Sequence, residues 1–278
     1  MLNPMLFRWG DGRGIGGHMP FRHAGWALLL LVPMIAVAFW PQYLHDLPHA
    51  AFALHAHGLT AALWIALVFF QHWSIHQRRN ALHRTAGLAV FAVVPLFTAG
   101  ALLAMQSMAA KALAGHPFYA PFGAMLGLDD AIASIALLFF VRAALLDRRQ
   151  VWLHAGYMLS TLLLVLPPIV TRLLPPMAVA GLSPFDAAYL TAELSAGVVA
   201  VLLALAYPRS RRPFLTVAAI TVAQAALVES FGRSAAWTEA FAALTRVPAS
   251  ALAAIGILAG AASLWSAWPK PRAAMRAA

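Results

Sequence analysis

DAAYLTAELSAGVVAVLLALAY, residues 186–207, is an apolar run with the length of a single membrane-spanning helix. At 1.5 Å of rise per residue, such a helix covers the ~30 Å hydrocarbon core of a bilayer. Comparable runs recur at 21–40, 50–73, 85–110, 126–146, 155–174, 213–231 and 248–268. The sequence therefore predicts an all-α polytopic transmembrane helix bundle of eight spans.

The composition agrees with a membrane protein, because 62% of the 278 residues are hydrophobic and 10% are charged. Soluble domains carry roughly 25% charged residues. The absence of cysteine excludes disulfides, thiolate metal ligands and Fe-S clusters. Both lysines, Lys111 and Lys270, lie outside the apolar runs, which excludes a retinal or PLP Schiff base within a span.

Basic residues are distributed unequally between the connections on the two sides of the bundle. Four of the 19 lie on one side, and the other fifteen lie in the tails and in the connections opposite. The four are Lys111, Arg172, Arg233 and Arg246. Because short basic connections stay in the cytoplasm, both termini are predicted to be cytoplasmic in a bacterial inner membrane.

Three regions are expected from this topology: a disordered leader at 1–20, one transmembrane domain at 21–268 and a basic tail at 269–278. If the first run is a cleaved signal peptide, seven spans remain.

The net charge of +10 is confined to short clusters between apolar runs, a pattern typical of contact with anionic lipid rather than with nucleic acid.

Ionisable residues inside the runs mark the predicted outer half as a candidate site. Glu193 and Glu229 lie within spans, where an unpaired carboxylate costs several kcal/mol. Arg172 ends a span on the same side, and Asp130 lies in another. Two interpretations stay open: Arg172 forms a structural ion pair with Glu193 or Asp130, or the group binds a proton or a polar substrate.

A metal site is a further hypothesis for this outer layer, with His55, His57 and Asp130 as ligands. Imidazole and carboxylate are common ligands of transition metals. Residues two apart point about 200° away from each other around a helix, so His55 and His57 share a ligand only if the helix begins after His55.

The predicted inner layer contains histidines near the ends of three spans. Together with His57, the side chains of His72, His83 and His154 are candidate ligands for haem b or a transition metal, because neutral imidazole binds both. The alternative for each inner histidine is contact with lipid headgroups at the basic interface.

Three motifs resemble an uncharacterised group of bacterial multi-pass membrane proteins. They are HAHGLTA at 55–61, LHRTAG at 82–87 and His154 followed by Tyr157-Met158. The resemblance covers residues 21–174 and implies a membrane fold and a set of residues, but no reaction. The layout of histidine-bearing helices is also distantly similar to cytochrome b561-like proteins.

Three functions are compatible with these features. The first hypothesis is a histidine-ligated haem or metal protein that transfers electrons to a membrane redox partner or a quinone. The second is a proton- or ion-coupled transporter that uses Arg172, Asp130, Glu193 and Glu229. The third is an accessory subunit of a membrane complex. No residues can be assigned to catalysis, since the motifs of nucleotide-binding and serine-hydrolase enzymes are absent.

Overall fold

A computed structural model describes residues 19–176 and 178–268 of the chain. These residues form helices and connecting turns, with no strand among them. The α-helices are α1 (Ala24–Phe39), α2 (Phe52–His76), α3 (Asn80–Gly87), α4 (Val90–Leu113), α5 (Tyr119–Leu146), α6 (Val151–Leu163), α7 (Leu166–Leu173), α8 (Pro184–Ala206), α9 (Arg211–Phe231), α10 (Ala235–Ala243) and α11 (Ala249–Ala267). Short 3₁₀ helices occupy Leu44–His49, Pro208–Ser210 and Leu244–Arg246.

Seven helical segments of the described residues are long and apolar enough to cross a bilayer, with α6 and α7 together forming one of them. This result confirms the all-α polytopic bundle. We call the end of the bundle that carries Arg78, Arg148 and Arg211 the basic end. The opposite end, which carries Asp46, Asp186 and Glu229, is called the acidic end.

The first apolar run forms α1, which at 16 residues is shorter than the seven long segments. It nevertheless reaches both ends of the bundle. Phe21, just before α1, packs on Trp152 at the basic end with ring centroids 5.8 Å apart. At the other end of α1, the guanidinium of Arg172 lies 4.6 Å from the centre of the Phe39 ring. Among the described residues, seven segments therefore have the length of a span, and α1 is a shorter apolar helix with contacts at both ends of the bundle.

Two of the predicted runs are divided in the structure. The run at 85–110 is preceded by the separate helix α3, which ends at Gly87 before α4 begins. The run at 155–174 breaks between α6 and α7, where Pro167 and Pro168 open α7. Proline has no N–H to donate, so a continuous ladder of helical hydrogen bonds cannot pass this point. The short helix α10, at the acidic end, was not predicted from the sequence.

Small residues allow the closest helix contacts. A Cβ atom added to Gly256 would lie 2.5 Å from the Cα of Ala99, and one added to Gly260 would lie 2.7 Å from the Cα of Pro95. The α11 backbone therefore lies directly against α4, as expected where helices associate in lipid through small residues. The helices α8 and α9 form another extensive contact, and α5 packs on α9 beside it.

Candidate functional site

The most deeply buried ionisable side chain of the described residues is Glu193 on α8, with no exposed surface. Tyr189 and Gly197 lie one turn before and one turn after it, on the same face of the helix. A Cβ atom on Gly197 would lie 2.8 Å from Oγ1 of Thr221 on α9. The missing side chain thus lets α8 approach α9 closely, and this contact encloses Glu193.

Asp129 on α5 is the second buried carboxyl of the site. One of its oxygens, Oδ1, accepts two hydrogen bonds: one from the Tyr189 hydroxyl at 2.8 Å and one from Nε2 of Gln224 at 2.5 Å. Tyr189 is on α8 and Gln224 is on α9, so Asp129 connects three helices. Donors that converge on a single carboxylate oxygen stabilise its ionised form.

Glu193 has the opposite environment. Both of its carboxyl oxygens are buried, and neither has a hydrogen-bond partner among the described residues. The charge of Asp129 acts on Glu193 electrostatically, so the two carboxyls lie within interaction range. An ionised carboxylate without a partner in an apolar interior costs several kcal/mol. Glu193 is therefore suited to hold a proton or to bind a cation.

A group of charged residues lies above this pair at the acidic end. Arg233 donates a hydrogen bond to Asp186, and its Nη1 lies 3.6 Å from Oε2 of Glu229. The other carboxyl oxygen of Glu229, Oε1, is buried without a partner. The charge of Glu229 also acts on Tyr189. Ionisable side chains thus continue from the acidic end of the bundle to the buried pair.

Arg172 lies in a different part of the acidic end. Its Nε donates to Oε1 of Gln42 at 3.3 Å, and its Nη1 donates to the carbonyl of Pro168 at 2.6 Å. Asp130 interacts with Arg172 electrostatically, but no ion pair within 4.0 Å joins them among the described residues. The sequence grouped Arg172 with Glu193 and Glu229, whereas the hydrogen bonds and ion pairs of the structure place it in a separate cluster.

The proposed metal ligands His55, His57 and Asp130 do not converge. Because α2 begins at Phe52, both histidines are helical and face different neighbours. His55 Nδ1 is 2.9 Å from the hydroxyl of Tyr43. The ring of His57 packs on Phe97 at 5.4 Å. Within 19–176 and 178–268, no three His, Asp or Glu side chains are grouped as metal ligands.

The inner histidines lie at the basic end and contact backbone carbonyls. His83 Nδ1 is 3.3 Å from the carbonyl of Gln71, and His154 Nδ1 is 2.9 Å from that of Ala144. Each carbonyl selects the tautomer with the proton on Nδ1, which leaves Nε2 as the free acceptor. Desolvation lowers the pKa of His83, so its imidazole is neutral near pH 7. The two rings interact electrostatically.

The sequence analysis missed Tyr189, Gln224 and the role of Asp129 in this site. A signal for Tyr189 was present, because Tyr189, Glu193 and Gly197 follow each other at intervals of one helical turn. Gln224 is an uncharged polar residue in an apolar run, and its partner on a distant helix cannot be predicted from sequence spacing.

Comparison of the chain with protein-family models, curated proteins and solved structures found no match.

Proposed function

We propose that the protein is a proton-coupled membrane transporter for a small solute, with Glu193 as its proton-binding residue. The observation that carries this proposal is the complete burial of a carboxyl whose two oxygens have no hydrogen-bond partner. Burial of an ionisable residue inside a membrane span is unfavourable in free energy, and such residues in a bundle interior mark proton and substrate pathways.

The unequal environments of the two carboxyls support a division of roles. Asp129 accepts two hydrogen bonds on one oxygen, and both favour its ionised form. Glu193, which receives none, takes up the proton. Two carboxyls close together in a medium of low dielectric constant do not readily ionise together, so they titrate as one coupled unit. Loading and release of one proton at Glu193 then changes the charge of the whole site.

Proton access is proposed from the acidic end, which the distribution of basic residues predicts to lie outside the cytoplasm. Glu229 is half-buried and stands between the ion pair of Arg233 with Asp186 and the hydroxyl of Tyr189. Glu229 interacts electrostatically with Tyr189, whose hydroxyl is hydrogen-bonded to Asp129, so polar groups lead from the acidic end towards the buried pair.

The test is proton movement into proteoliposomes that contain a trapped pH-sensitive dye and are energised by a potassium diffusion potential. We expect wild-type protein to acidify the lumen faster than empty vesicles, and Glu193→Gln to reduce the rate to that of the empty vesicles. The matched control is Glu239→Gln, which removes one exposed carboxylate at the same end.

Wild-type rates in Glu193→Gln would overturn the proposal, as would equal losses in both variants. Infrared difference spectroscopy adds a measurement that needs no flux. A protonated carboxyl band that changes with pH is expected in wild-type protein and in Glu239→Gln, and it should be absent from Glu193→Gln. A band that persists in Glu193→Gln places the proton elsewhere.

A second candidate function, binding of haem b or a transition metal for electron transfer, is supported by the inner histidines. His83 and His154 both have Nδ1 at a backbone carbonyl, the outer hydrogen bond that orients imidazole ligands of metals. These two residues would hold the group through Nε2, and a bound iron would supply one-electron transfer to a quinone or a membrane redox partner. His57 and His72 are not joined to them by any contact seen among the described residues.

The test of this second function is the absorbance spectrum and metal content of protein purified from membranes, followed by titration with hemin, Cu²⁺ and Zn²⁺. We expect a Soret band or stoichiometric metal that disappears in His154→Ala and persists in His45→Ala, an exposed histidine at the acidic end. Purified protein that binds none of these probes would contradict the function.

A further inference from the structure

A cleft at the basic end separates the beginning of α1 from the end of α2. It encloses about 210 Å³. Its polar lining comes from Arg22, His72, His76 and Gln77. The two imidazole rings lie 4.1 Å apart, and Nε2 of His76 has no hydrogen-bond partner among the described residues. No acidic side chain lines the cleft, so its charge favours an anion.

The remaining walls of the cleft are aromatic and aliphatic. Trp26 and Trp73 flank it, and Leu29 and Phe69 extend it away from the basic end. Trp26 is 71% exposed, as expected of a side chain that contacts lipid at the bilayer interface. Arg79 lies over the Trp73 ring at 5.1 Å and adds a second guanidinium beside the cleft. The cleft thus combines a cationic part with an apolar part.

The position of Arg22 is fixed by the residue before it. Phe21 has a φ angle of +57°, in the left-handed region that a residue with a bulky side chain rarely adopts. Its ring is buried against Trp152, Tyr207 and Phe214, at centroid distances of 5.8, 4.7 and 5.7 Å. This aromatic packing maintains the unusual backbone conformation, and the backbone in turn places Arg22 at the cleft.

We propose that this cleft is a binding site for one anionic phospholipid. Arg22 donates to the phosphate, while the first part of an acyl chain lies along Leu29 and Phe69. Basic clefts between helices at a membrane interface recognise anionic headgroups, and the apolar wall distinguishes a lipid from a soluble phosphate. The site is at the opposite end of the bundle from Glu229, and it does not depend on the proposed transport function.

Lipid binding is measured by native mass spectrometry of the full chain released from detergent, titrated with phosphatidylglycerol and, separately, with phosphatidylcholine. We expect wild-type protein to retain one phosphatidylglycerol preferentially, and Arg22→Ala to weaken this binding about fivefold. The matched control is Arg212→Ala, which removes an exposed arginine at the same end, away from the cleft.

Three results would overturn the proposal. Retention of phosphatidylcholine equal to that of phosphatidylglycerol would show that the headgroup charge is not recognised. Equal losses in Arg22→Ala and Arg212→Ala would show attraction to the basic surface as a whole. Displacement of the lipid by millimolar inorganic phosphate would show that the apolar wall contributes nothing and that a free phosphate is the natural ligand.

Discussion

The buried carboxyls on α5 and α8 differ from the paired histidines on α3 and α6 in how their polar atoms are satisfied. Asp129 has two donors, whereas neither oxygen of Glu193 has a partner. His83 and His154 each have a ring nitrogen at a backbone carbonyl. The carboxyl pair therefore contains one group that needs a proton or a cation, while each histidine is stable as a neutral imidazole.

This difference determines at which of the two regions the binding of a proton is favourable. Addition of a proton to Glu193 stabilises the folded protein, because a buried carboxylate without a hydrogen-bond partner is unfavourable. Addition of a proton to His83 or His154 creates a buried cation and is opposed. The contrast supports the proposal of proton binding at the carboxyl pair, and the predictions below test it.

The largest expected effect is on stability in Asp129→Ala. The substitution leaves the Tyr189 hydroxyl and the Gln224 amide buried without their acceptor, at about 1–3 kcal/mol for each group. The free energy of unfolding in mixed detergent micelles should fall by about 2–5 kcal/mol. Asp129→Asn keeps a carbonyl oxygen as acceptor and should lose less.

Glu193→Gln is the comparison that makes this prediction specific. Removal of a carboxyl that has no hydrogen-bond partner breaks no bond, so we expect the free energy of unfolding to change by less than about 1 kcal/mol or to rise. A loss in Glu193→Gln as large as that in Asp129→Ala would contradict the unequal roles of the two carboxyls.

The spans were predictable from the sequence because hydropathy follows directly from composition and length. The runs at 50–73 and 186–207 correspond to α2 and α8 within a few residues. The site was only half predictable. Glu193 was recognisable as an ionisable residue in an apolar run. The sequence analysis selected Asp130 and not its neighbour Asp129, because the sequence does not show which of two adjacent helical residues faces the neighbouring helices. The contact of three helices at Asp129 depends on the tertiary structure and cannot be predicted from the order of residues in the chain.

A smaller effect is expected for Gly197→Ala, which tests whether the packing around Glu193 is tighter than that around His72 in the cleft at the basic end. The new methyl group would lie 2.8 Å from Thr221 Oγ1, and Thr221 is buried. Overpacking of this kind costs about 1–3 kcal/mol. Thr221→Ala in the same chain should recover most of the loss, because it removes the clashing atom.

The control for that prediction lies beside His72, in the cleft at the basic end. A Cβ atom on Gly25 would lie 3.3 Å from Nε2 of His72, at the end of a side chain that is able to rotate. Gly25→Ala should therefore change the free energy of unfolding much less than Gly197→Ala. Equal losses for the two variants, measured in the same micelles, would mean that the two regions are packed alike.

The smallest expected effect is a pH dependence of stability that originates at His83. Desolvation lowers the folded-state pKa of His83 from its usual value of about 6.5. Below that value the unfolded state binds more protons than the folded state, so stability is fully present above pH 6.5 and is lost as the pH falls towards the folded-state pKa. The free energy of unfolding should decline on acidification from about pH 7.5 to pH 5.5, and His83→Gln should make this decline shallower.

His45→Gln, at an exposed position, serves as the control and should retain the wild-type slope. If His83→Gln retained it as well, the imidazole would not be held neutral by its surroundings, and the contrast with the carboxyl pair would rest on Glu193 and Asp129 alone.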